Sequence, residues 1–137
     1  MKKKVVSALS AAVIALNASS VVAFADSKSE NLSYDGVSAY ASLVCDFGAA
    51  WLGHSDNADA TNSFTSSNTK GYLVAVRLEC WGSDSEIGHK YDRGPSVAEC
   101  TYSWTDVSYY ESRNSIDNSS GTTELVVRNI HDNEGLG

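Results

Sequence analysis

From Val37 to Trp51 the odd positions all carry apolar side chains: Val37, Ala39, Ala41, Leu43, Cys45, Phe47, Ala49 and Trp51. Ser38, Ser42 and Asp46 stand between them. A period of two sends successive side chains to opposite faces. The stretch therefore reads as a strand with one buried face, bent near Gly48. The same signature recurs downstream. Tyr72, Val74, Val76, Leu78 and Cys80 share one face of a strand over 71–81, with Arg77 and Glu79 on the other. Ala98, Cys100, Tyr102 and Trp104 share a parity over 96–105. Val107–Glu111 is expected as a fourth strand, and Thr122–Ile130, rich in β-branched residues, as a fifth.

Between these runs the chain is polar. Residues 53–70 are dominated by Ser, Asn, Asp and Thr and read as loop, with a short edge strand near 60–65. Gly82, Gly88, Gly94 and Pro95 mark a polar excursion, and 114–121 a turn. No window after residue 25 combines 3.6-residue periodicity with helix caps. The expected fold is all-β: a small antiparallel sandwich or barrel of about five to seven strands.

The first 25 residues follow a different logic. Lys2, Lys3 and Lys4 precede an apolar run from Val5 to Leu16, and Ala23-Phe24-Ala25 supplies an A-x-A site. That order predicts a secretory signal peptide over 1–25, cut before Asp26 and bacterial in style. The run is well short of the ~20 apolar residues that a membrane-spanning helix needs. The remainder divides into a flexible N-terminal arm over 26–36, one sandwich domain over 37–131 and a polar tail over 132–137. No cysteine at the cleavage site could accept lipid, so the expected location is extracellular. The formal net charge of −7 becomes more negative once the three leading lysines leave. Such acidity repels phosphate backbones, which excludes nucleic acid as an expected partner.

Three cysteines in an exported chain invite one disulfide. Cys80–Cys100 is the preferred pair, because the two residues lie in successive strands of the reading above. All three share the parity of apolar neighbours, so each is expected to face the core. His54, His89 and His131 match no local metal-ligand spacing. Asp56 and Asp59 in one loop, and Asp84, Glu86 and Asp92 in another, are where calcium would be sought. No metal or cofactor is expected.

Glu79, Glu99, Asp106 and Glu111 could supply paired carboxylates for sugar hydrolysis, but the chain is small for a cleft. Asp46-Phe47-Gly48 and Ser67-Asn68-Thr69-Lys70 match kinase and penicillin-recognising motifs by letters alone. Leu78 and Ala98 stand two residues before Cys80 and Cys100, where an immunoglobulin domain would carry tyrosine before its second cysteine. The aromatics are more informative. Trp81, Tyr91, Tyr109 and Tyr110 are candidate binding residues, whereas Tyr102 and Trp104 are expected in the core. Tyr109 and Tyr110 are adjacent in a strand, so one of them must point outward. These features predict a secreted, non-enzymatic protein that binds an envelope glycan or an extracellular protein surface. The alternatives are a bacteriocin or toxin-like protein, and a small secreted inhibitor or hydrolase.

Overall fold

The structure is a computed structural model that describes residues 25–48 and 55–133. All but the last residue of the signal peptide expected over 1–25, together with Ala49, Trp51 and His54, lies outside the described residues. Among the described residues eight strands follow one another: β1 (Ala25–Tyr34), β2 (Val37–Asp46), β3 (Asp56–Phe64), β4 (Leu73–Trp81), β5 (Glu86–Gly94), β6 (Val97–Trp104), β7 (Tyr109–Asp117) and β8 (Glu124–Asn133). They form two antiparallel sheets, ordered β1-β2-β3-β6 and β5-β4-β7-β8. The fold is a β-sandwich, with eight strands where five to seven were expected.

Leu32, Leu43 and Ala60 from the first sheet meet Val76, Leu78 and Ile116 from the second in one buried apolar layer. Burying side chains of this kind stabilises by about 1.5–3 kcal/mol each for the larger ones. The open edges of the sheets also meet, β1 lying beside β8 and β5 beside β6. At the first of these seams Lys28 points to the core side of β1, in register with Leu43. Its ammonium donates to the His131 carbonyl (3.1 Å) and pairs with the buried Asp132 carboxylate (3.3 Å). An inward-pointing charge is a common way to protect an edge strand from pairing with another chain. Here the same charge also ties the two sheets together.

Several boundaries differ from the sequence reading. The segment 26–36 is no loose arm, because β1 pairs with β2 along its whole length. Asp35 (φ 51°) and Gly36 (φ 80°) make the tight turn between them. Both central residues at positive φ give a type I′ hairpin, whose twist matches the strands it joins. The expected edge strand near 60–65 is part of β3, a central strand between β2 and β6. β5 occupies the polar excursion, and β7 runs on through 114–117. The first residues of the tail expected over 132–137, Asp132 and Asn133, belong to β8.

Two core polar groups explain part of this. Asn62 is fully buried, and its amide donates across the sandwich to the Ala75 and Ser115 carbonyls, both at 2.9 Å. Asn114 is fully buried in β7 and donates to Ser112 and to the Arg128 carbonyl of β8. Each satisfied donor allows a polar side chain into a position that an apolar pattern would not reveal.

Candidate functional site

The outer face of the second sheet holds the densest set of reactive and recognition groups among the described residues. It arises because Cys80 and Tyr110 point inward, with no measurable exposure, which sends their strand neighbours outward. Register then sorts those neighbours into transverse bands. Trp81 pairs with Tyr109, Glu79 with Glu111, and Arg77 with Arg113. β5 extends the bands with His89 beside Glu79 and Tyr91 beside Arg77. β8 extends them with His131 beside Glu111 and Asn129 beside Arg113. The middle band therefore reads His89, Glu79, Glu111, His131 across all four strands.

The aromatic band is a stack. Trp81 and Tyr109 are nearly parallel (7°) with ring centroids 5.6 Å apart, and His131 lies against Tyr109 at 4.4 Å. Trp81 donates its indole N–H to Glu79 Oε1 at 3.0 Å, and Arg77 donates its Nε–H to Glu79 Oε2 at 2.7 Å. Burial opposes ionisation of Glu79, but those two donors outweigh it and hold the carboxyl below its ordinary range. The Arg77 guanidinium also reaches Glu86 (3.4 Å) and His89 Nδ1 (3.1 Å). Across the face Arg113 pairs with Glu124 at 2.8 Å, and His131 lies 3.6 Å from Glu111. Partial burial, then the Glu111 and Glu79 charges, raise the Tyr109 phenol, which stays neutral and able to donate.

Of the candidate binding residues, Trp81 and Tyr109 come together on this face. Tyr91 stands two bands away and half-exposed, its phenol accepting from Arg93 Nε–H at 2.9 Å. Tyr110 does not belong to the site. It is a core residue whose hydroxyl donates across the sandwich to the Asp56 carbonyl at 2.8 Å. Trp104 lies at the end of β6 and is half-exposed, so it is not part of the core, and Tyr102 only borders it. Of the four carboxylates considered for sugar hydrolysis, only Glu79 and Glu111 are neighbours. Glu99 belongs to the first sheet and Asp106 to the β6–β7 loop.

The cysteines are all buried and none is in a disulfide. Cys80 and Cys100 sit in opposite sheets, with β5 between them in the chain. The Cys100 thiol is directed at the Val76 carbonyl (3.7 Å), four residues from Cys80 and roughly 13 Å along β4. That offset is too great for a disulfide, whose Cα atoms must lie within about 7 Å. Burial pushes the Cys80 thiol up and the Cys100 thiol up to about 11, so neither is poised as a nucleophile.

The acidic loops do not converge either. Asp56 is buried at the start of β3, accepting from the Val107 N–H at 2.9 Å, while Asp92 accepts from the Glu99 N–H at 2.9 Å. Among the described residues no three His, Cys, Asp or Glu side chains are grouped to hold a metal ion. No helix among them is long and apolar enough to cross a membrane.

Sequence reasoning missed Arg77, Arg113, His89 and His131 as members of one site. Their separations in the chain carry no motif, and only strand register brings them together. The parity of Arg77 and Glu79 opposite the apolar face was the available signal. Comparison of the chain with protein-family models, with curated proteins and with solved structures found no match.

Proposed function

We propose that this chain is an exported, non-enzymatic β-sandwich that binds a glycan at or outside the cell envelope through the outer face of its second sheet. The observation that carries this reading is the banded face itself. Guanidinium, carboxylate and imidazole groups stand beside a stack of rings, and aliphatic side chains are absent from those three bands. Interfaces between proteins deplete charged residues at their centres, so such a surface suits a polyhydroxylated ligand better. Hydroxyls need paired donors and acceptors, and the ring stack supplies an apolar edge for sugar C–H groups.

Binding rather than turnover is favoured by the state of Glu79. Both its oxygens already accept from Trp81 and Arg77, which fixes the carboxylate as an orienting acceptor. A glycosidase would need one carboxyl free to attack or to deliver a proton. The amino-terminal signal pattern and the acidic composition support delivery outside the cell.

Co-sedimentation of the secreted protein with purified cell walls and insoluble polysaccharides tests the reading. Retention should fall at least tenfold in Trp81→Ala and in Tyr109→Ala, with the melting temperature of each variant recorded as a folding control. Failure of the unmutated protein to sediment with any wall or polysaccharide overturns it.

A further inference from the structure

The order of charges on the proposed glycan face is unfavourable for the isolated protein. Glu79 lies directly opposite Glu111, and Arg77 directly opposite Arg113, on adjacent strands. Like charges in directly opposed positions destabilise a sheet. Exchanging Glu111 with Arg113 would turn both like pairs into opposite pairs, giving up the exposed Arg113–Glu124 pair and the Glu111–His131 contact. The sequence instead holds two carboxylates in one band and two guanidinium groups in the next. The Arg77 and Arg113 side chains are 35% and 45% exposed, so their donors remain within reach of a ligand. Residues two apart in a strand are separated by about 7 Å, which sets the spacing of the bands.

We infer that the face takes a zwitterionic glycan, with an anionic substituent on Arg77 and Arg113 and an ammonium substituent on Glu79 and Glu111. This rests on the glycan reading above and names the ligand class within it. Within each band the like charges face one another and find counter-charges outside the band, Arg77 with Glu79 and Glu86 and Arg113 with Glu124, and such a ligand supplies one to both bands at once. Guanidinium groups suit sulfate, phosphate or carboxylate through paired N–H donors. The carboxylate band is suited to an amine, and the adjoining Trp81 ring can face its cationic head. A second copy of the chain could present the same two bands in reverse order. The overall charge of −7 opposes that pairing, and charged residues would then fill the centre of the interface.

The test measures equilibrium binding of the secreted protein to four dextrans at low salt. One is plain, one carries sulfopropyl groups, one carries trimethylammonium groups and one carries both. The doubly substituted dextran should bind at least tenfold more tightly than each of the others. The paired exchange Glu111→Arg with Arg113→Glu keeps the net charge and should abolish that preference. Glu111→Gln with Arg113→Gln should abolish it as well, and serves if the exchange fails to fold. Equal binding of plain and doubly substituted dextran overturns the inference and leaves the glycan reading standing. Equal binding of the trimethylammonium form overturns it too, since net acidity alone would then suffice. Binding to none of the four overturns the inference, and the wall co-sedimentation above decides the glycan reading separately. Sedimentation showing a dimer that the exchange dissolves assigns the bands to a second copy and also overturns it.

Discussion

Asp59 shows what one side chain costs this sandwich. It stands on the outer face of β3, with its Oδ1 buried and unpartnered among the described residues. Burial, and then the nearby Glu99 charge, push its carboxyl up from 3.8 to about 6. A folded value above the unfolded one means that the folded state binds the proton more tightly. The resulting stabilisation is complete below about 4 and is lost as the pH rises through 6. At neutral pH Asp59 is therefore a liability. Asp59→Asn should stabilise the protein by about 1 kcal/mol at pH 7.5, after allowance for partial solvent screening, and by almost nothing at pH 4. Urea titrations at the two pH values check this, and an equal effect at both would refute it. Asp56 and Asp117, raised chiefly by burial, act with the same sign, whereas Glu79 acts against them.

At the level of elements, legibility followed burial. β2 and β4 are central strands whose inner faces are apolar, so their alternation is plain in the sequence. β1 and β5 are edge strands. β1 carries Lys28 and Glu30 at inward positions and β5 is exposed along most of its length, so neither shows an apolar period. β7 extends past the strand expected over 107–111 because Ser112 and Asn114 occupy core positions, where polar residues leave no apolar period. The site suffered the same loss. Trp81 and Tyr109 could be singled out as aromatics, but their partners came from register, which a single strand does not encode. One local signal was present and went unused. Asp35-Gly36 is a strong hairpin dipeptide, and it fixes β1 against β2. No atom lies within 4 Å of where a Gly36 side chain would begin, so any penalty there belongs to the backbone. Gly36→Ala should cost about 1–2 kcal/mol in urea unfolding, since φ of +80° disfavours any L side chain. A change below a few tenths of a kcal/mol would show that the turn does not set the register.

Across the whole molecule, stability depends on how the two sheets are held face to face. The core supplies most of the attraction, and Asn62 and Tyr110 add polar ties across it. The seam between β1 and β8 rests on Lys28. Lys28→Met keeps the side chain's apolar stem but leaves the buried Asp132 carboxylate without that cation. The expected loss is roughly 1–3 kcal/mol, because Lys28 itself is half-exposed while its partner is not. A neutral effect at pH 7 would move the closure of that seam to other contacts.

The two seams are not equivalent. At β5–β6 the chain turns straight from one sheet into the other through Pro95 and Ser96, and the Asp92 carboxylate accepts from Glu99 just beyond. That side is closed by the chain itself. The β1–β8 side is a clasp, closed by side chains. The two sides of the sandwich are thus closed by different means, and the clasp borders the same sheet face that carries His131 and Tyr109.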